Sequence, residues 1–217
     1  MNTNKNAKRV LIYGDSYVFG KIPGGGRFGS DTRFTGLLQK TLGGGYEIIE
    51  EGLRGRMIDG ENAFFPYRNG FEQFGSIFGS HLPLDLLILF LGTNDTNNGS
   101  KKNPQQITDC NDKYLEKVNW WCEHLGFPKP IIMIIAPPII NEKESYKAFK
   151  NIFKDSEEKL RKLPNLFQTY AKKHDLAFFD SSKMVKVSPI DGIHLDGEAN
   201  RLLAKSLANK IESVLKL

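Results

Sequence analysis

Five short runs rich in branched aliphatic and aromatic residues, at residues 9–13, 46–50, 84–91, 130–136 and 176–179, alternate along the chain with stretches of helical spacing. The helical stretches lie at residues 33–42, 104–124, 151–173 and 197–215, with a weaker one at 71–80. Strands that alternate with helices must pair in parallel, because each crossover returns the chain to the same edge of the sheet. Runs as apolar as 84–91 then need cover on both faces. The pattern predicts a flavodoxin-like three-layer α/β/α sandwich around a five-stranded parallel sheet, built as a single domain over residues 1–217.

Local signals support the boundaries. Thr41-Leu42-Gly43-Gly44-Gly45 ends the first helix with residues that accept positive φ, and Gly126 before Pro128 and Pro130 stops the third. Asp196 before Gly197 and Glu198 reads as a cap for the last helix, whose Leu202, Leu203, Leu207, Ile211 and Leu215 recur at helical spacing. Segments 17–32, 56–70 and 137–150 are long for connections in this architecture and are expected to shape a pocket.

In such a sheet the carboxyl ends of the strands share one rim, where ligands bind. Four segments fall there: Gly14-Asp15-Ser16, Gly52-Leu53-Arg54-Gly55, Gly92-Thr93-Asn94-Asp95 and Asp191-Gly192-Ile193-His194. A serine hydroxyl needs a positioned base before it can attack a carbonyl. Of the four histidines, His81, His124 and His174 each precede a strand and so belong to the opposite end of the sheet, leaving His194 as the base for Ser16. Asp191, three residues earlier, is placed to hold the imidazole in one tautomer. Taken alone, such a pair more often caps a helix.

Acyl transfer also needs donors preset for a tetrahedral oxyanion. The backbone N–H of Ser16, the backbone N–H of Gly55 and the side-chain amide of Asn94 are the three on offer. Asp15 and Asp95 are read as loop-holding residues. Arg54 and Arg56 flank the Gly55 donor and, with Phe64 and Phe65 of the long loop, are the candidate substrate contacts.

These four blocks, in this order, resemble the SGNH hydrolase superfamily of GDSL-like esterases and lipases. The resemblance implies a catalytic triad of Ser16, Asp191 and His194, with an oxyanion hole of Ser16, Gly55 and Asn94. Arg33-Phe34-Thr35-Gly36-Leu37-Leu38, the segment Glu47 to Leu53 and the segment His81 to Thr96 are similar to the arylesterase and acyltransferase (perhydrolase) branch. That branch implies short acyl esters of small molecules as substrates, transfer to alcohols or peroxide, and assembly into homo-oligomers. Two features depart from it: Glu50-Glu51 stands where the superfamily carries an upstream asparagine, and Arg54 stands where the branch carries a small residue.

Other classes find less support. No Gly-x-Ser-x-Gly surrounds Ser16, and no His-Glu-x-x-His or paired-cysteine cluster suggests a metal, so no cofactor is expected. The net charge of +5 is spread over helices that also carry acids, without the stripe a nucleic-acid module needs. The longest apolar runs are far below the roughly 20 residues of a membrane helix. The polar stretch Met1 to Arg9 lacks a signal-peptide core, so a cytoplasmic location is expected, with Cys110 and Cys122 reduced and about 18 Å apart on one helix. A deacetylase of a sugar or other metabolite would use the same chemistry. A non-catalytic flavodoxin-like binder would use the same rim without it.

Overall fold

The computed structural model describes residues 2–215. Strand β1 (Lys8–Gly14) runs into a short helix α1 (Ser16–Phe19). Helix α2 (Phe34–Leu42) leads to β2 (Tyr46–Gly52), α3 (Gly70–His81) to β3 (Leu86–Phe90), and the pair α4 (Pro104–Asp109) and α5 (Asn111–Leu125) to β4 (Ile131–Ala136). Helices α6 (Glu142–Phe149) and α7 (Ser156–Lys173) precede β5 (Ala177–Asp180), and α8 (Gly197–Leu215) follows it. All neighbouring strands pair in parallel, in the order β2-β1-β3-β4-β5.

The strand side chains divide by parity, as a two-residue period requires. Leu11, Tyr13, Leu87 and Leu89 face a core with α3, α5 and α7, while Val10, Ile12, Ile88 and Phe90 face a second core with α2 and α8. Every residue of β3 is buried, which explains why it reads as one apolar run rather than an alternation. Helix α8 buries Leu203, Leu207 and Ile211, with Leu202 turned outward. Asp196 caps it by accepting from the Ala199 N–H at 2.9 Å. Among the described residues no helix is long and apolar enough to cross a membrane.

The winding changes direction once. The chain passes from β1 to β2 on one side, then to β3 on the other side of β1, and continues outward through β4 and β5. At such a reversal the loops leaving the two central strands diverge and leave a crevice.

Several predicted elements are corrected. The helix expected over 104–124 is two, separated at Cys110, where the Asn111 side-chain amide donates to the Thr108 carbonyl at 2.8 Å and competes with the helical ladder. Both cysteines are free and buried. The helix expected from 151 starts at Ser156, because Asp155 takes φ 63° after a 3-10 turn over Lys150–Phe153. The segment 137–150 is not a loop throughout: Asn141 accepts from the Glu144 N–H and starts α6. The segment 17–32 likewise begins inside α1.

Candidate active site

Each of the five strands delivers residues from its carboxyl end to one cavity of about 140 Å³. Ser16 comes after β1, Arg54, Gly55, Phe65 and Arg68 after β2, and Thr93 and Asn94 after β3. Phe149, Ile152 and Phe153 come after β4, and Ile193 and His194 after β5. A larger open depression of about 800 Å³ between α6 and α7 is walled mainly by charged residues and contains none of the candidate catalytic groups.

Ser16 sits where β1 turns abruptly into α1. Asp15 caps that helix, its carboxylate accepting from the Tyr17 N–H at 3.0 Å, and Gly20 at φ 75° ends it after one turn. Ser16 is therefore the first helical residue, a position whose N–H has no intrahelical acceptor. The Tyr17 hydroxyl donates to the Ile193 carbonyl at 2.9 Å, which ties the serine turn to the residue preceding His194. Its ring is stacked on Phe90 with centroids 5.4 Å apart.

Asp191 is 1 % exposed and its oxygens are filled. One oxygen accepts from the N–H groups of Ile193 (3.1 Å) and His194 (2.9 Å). The other lies 2.7 Å from His194 Nδ1 and accepts from the Gly24 N–H at 3.1 Å. Burial pushes the Asp191 carboxyl up, but the bonds from His194 and Ile193 and the His194 charge outweigh it and hold the carboxyl well below the usual carboxylate range. An ionised Asp191 keeps the proton on Nδ1 and leaves Nε2 as the basic nitrogen. The loop is fixed from behind by α6: Asn141 donates to the Gly192 carbonyl at 2.8 Å, and a Cβ on Gly192 (φ 69°) would lie 2.4 Å from the Asn141 carbonyl oxygen.

Gly55 adopts φ 77° in the turn after β2. Two bonds orient its surroundings. Arg68 Nε donates to the Arg54 carbonyl at 2.6 Å, and because a trans peptide carries C=O and N–H on opposite sides, this fixes the direction of the Gly55 N–H. Asn62 Nδ2 holds the Gly55 carbonyl at 2.9 Å. Asn94 lines the same cavity, with Nδ2 3.2 Å from Asp15 Oδ2 and 3.1 Å from the Arg56 carbonyl.

Of the four predicted substrate contacts, Arg54 and Phe65 line the cavity. Arg56 and Phe64 do not, and both are corrections. Arg56 is buried, donating from Nη1 to the carbonyls of Gly14 (2.9 Å) and Glu51 (2.5 Å), with its guanidinium 4.1 Å from the Tyr13 ring centroid. It braces the ends of β1 and β2 from inside the core. Phe64 packs beside Gly99, outside the cavity. Segment 17–32 contributes no wall; through Gly24 it backs Asp191 instead. Sequence reading missed Arg68, Thr93 and Ile193, and the wall of Phe149, Ile152 and Phe153. The Asn141-Glu142-Lys143-Glu144 cap before Phe149 was the available signal for that wall.

Asp15 and Asp95 are wholly buried. Burial, then the charge of Asp95, pushes Asp15 up to about 7, and burial pushes Asp95 up to about 6 although its carboxylate accepts from the Ile58 N–H at 2.9 Å. Both values exceed those of an unfolded chain, so between about pH 4 and about pH 7 the native state holds protons that the unfolded state has released. Stability from these two groups is full below that window and is lost as pH rises through it. Asp191 acts oppositely, contributing above the ordinary carboxylate range and failing only in stronger acid. We expect Asp95→Asn to flatten the fall in unfolding free energy between about pH 4 and about pH 6 by on the order of 2–3 kcal/mol. Urea titrations of both proteins across that range measure it, and parallel slopes would refute it.

A serine, a carboxylate-held imidazole and a set of amide donors in one small cavity at the rim of a parallel sheet define an acyl-transfer site. A family model for GDSL-like lipase/acylhydrolase matches residues 10–207, and the chain belongs to that family of ester hydrolases. Solved structures agree. The chain is 32% identical to the carbohydrate acetylesterase Est24 of Sinorhizobium meliloti and 32% identical to an aryl esterase of M. smegmatis. In both cases the match covers 95% of this chain and 99% of the other, with a TM-score of 0.88. A putative arylesterase from Agrobacterium tumefaciens str. C58 is 27% identical over 95% of this chain and 99% of its own, with a TM-score of 0.85. A search of curated protein sequences gives no match.

Proposed function

We propose that the protein hydrolyses short acyl esters of small molecules through an acyl-enzyme on Ser16. The observation that carries this is the pairing of Asp191 with His194 Nδ1 in the cavity that Ser16, Gly55 and Asn94 also line. In this reading Ser16 Oγ attacks the ester carbonyl while His194 Nε2 takes its proton. The imidazolium, stabilised by Asp191, returns that proton to the departing alcohol, and water repeats the sequence to release the acid. The N–H groups of Ser16 and Gly55 and the Asn94 amide bind the oxyanion. Asn94 does so by yielding one of its two present bonds, to Asp15 or to the Arg56 carbonyl.

The cavity supports short acyl chains. Phe65, Phe149, Ile152 and Phe153 form an apolar wall directly beside Ser16 and His194, which leaves limited room for a long acyl chain. Across p-nitrophenyl acetate, butyrate and octanoate, kcat/KM is expected to fall at least about tenfold from the shortest to the longest, since a pocket discriminates by the methylenes it cannot house. Absence of hydrolysis of all three would overturn the esterase reading, and a preference for octanoate would overturn the short-chain one.

The likeness to a carbohydrate acetylesterase favours deacetylation as a second reading of the same chemistry. A cytoplasmic location, a small-molecule partner and self-assembly into a homo-oligomer complete the proposal, the last implied by the resemblance to the arylesterase and acyltransferase branch.

A further inference from the structure

The chain has eight arginines, and five of them, Arg9, Arg27, Arg33, Arg161 and Arg201, pair with carboxylates. The remaining three all lie between β2 and α3, and among the described residues none forms an ion pair with an acidic side chain. Arg56 is spent inside the core on backbone carbonyls. Arg54 and Arg68 line the Ser16 cavity.

Their surroundings leave the positive charge uncompensated. Arg54 is exposed, one residue before the Gly55 oxyanion donor. Arg68 donates to the carbonyls of Arg54, Pro66 and Tyr67, which are neutral and fix the guanidinium without cancelling its charge. None of the twelve residues lining the cavity is acidic. Asp191 lies behind His194 with both oxygens occupied. Cations gathered in a cleft against low-dielectric aromatic walls focus a positive potential on whatever enters. An anion there gains charge-assisted hydrogen bonds.

We infer that the preferred substrates are esters that themselves carry a carboxylate, which Arg54 engages at the cavity mouth with Arg68 adding its charge from the wall. This rests on the esterase reading and narrows it to a substrate class. The carboxylate can lie on the acid or on the alcohol side of the scissile bond, and the test separates the two.

One pair of substrates, 4-acetoxybenzoate and methyl 4-acetoxybenzoate, places the charge on the leaving group. A second pair, monoethyl succinate and diethyl succinate, places it on the acyl group. In each pair the ratio of kcat/KM for the charged over the neutral ester is compared among wild type, Arg54→Ala, Arg54→Lys and Arg54→Glu, so that intrinsic reactivity cancels. In at least one pair the ratio is expected to fall about tenfold or more in Arg54→Ala, mainly through KM, further in Arg54→Glu, and to be largely kept in Arg54→Lys. For wild type, raising ionic strength is expected to lower kcat/KM for the charged ester of that pair several-fold while the neutral one is unmoved. Ratios unchanged by Arg54→Glu in both pairs overturn the inference. Because the neutral esters report hydrolysis independently, that outcome leaves the esterase assignment standing, whereas loss of all turnover in wild type would end both.

Discussion

Replacing Ser16 by alanine is expected to lower kcat for p-nitrophenyl acetate by about 10⁴ to 10⁶-fold, and His194→Ala by a similar factor, with the double variant no worse than either alone. The non-additivity follows from the chemistry, because a nucleophile without its base and a base without its nucleophile are equally idle. Asp191→Asn is expected to cost somewhat less, about 10²- to 10⁴-fold, since it leaves the imidazole in place but removes the acceptor at 2.7 Å that holds the proton on Nδ1. A fluorophosphonate reports the same step directly: Ser16 Oγ attacks phosphorus, fluoride departs, and peptide mapping locates the adduct. We expect the label on Ser16 in wild type and its near absence in His194→Ala. Adduct on another residue, or turnover undiminished in the alanine variants, would reject the assignment.

The second large effect is expected far from any reacting atom. Gly52, the last residue of β2, lies so close to α1 that an added Cβ would stand 2.2 Å from the Phe19 nitrogen, 2.5 Å from the Val18 carbonyl carbon and 2.7 Å from the Phe19 Cα. All three are backbone atoms, so no side chain can rotate away; the strand end and the serine helix have to part. Gly52→Ala is therefore expected to destabilise the protein by about 2–3 kcal/mol, measured by urea denaturation. It also moves Ser16 relative to Gly55, and a displacement near 1 Å is expected to lower kcat/KM about 10²-fold. Wild-type stability and turnover in this variant would mean that α1 is not seated on β2 as described.

The sheet and most of the rim were legible because both rest on patterns that repeat along the chain. Apolar runs set the strands, and the residues just beyond them fell to the carboxyl edge by topology alone, which is how Ser16, Gly55, Asn94 and His194 were brought together from four separate segments. What failed were arguments from adjacency. Arg54 and Arg56 flank the same glycine, yet its φ of 77° turns the chain, so one side chain reaches the cavity and the other the core. Phe64 and Phe65 are neighbours and divide in the same way. The wall of Phe149, Ile152 and Phe153 was hidden because the segment from Pro137 to Asp155 combines a two-turn helix, a 3-10 turn and a left-handed residue, and so carries no single period. The bond from the Tyr17 hydroxyl to Ile193 spans 176 positions and leaves no local trace in the sequence.

The reversal of winding between β2 and β3 also bears on how such a protein can change over generations. The crevice at Ser16 exists because the strands beside it are followed in opposite directions, a property of the backbone path rather than of the side chains along its walls. Exchanges at Arg54, Phe65 or Phe149 can alter which ester is admitted while the sheet keeps its shape, so a lineage can retune its diet residue by residue without rebuilding the enzyme.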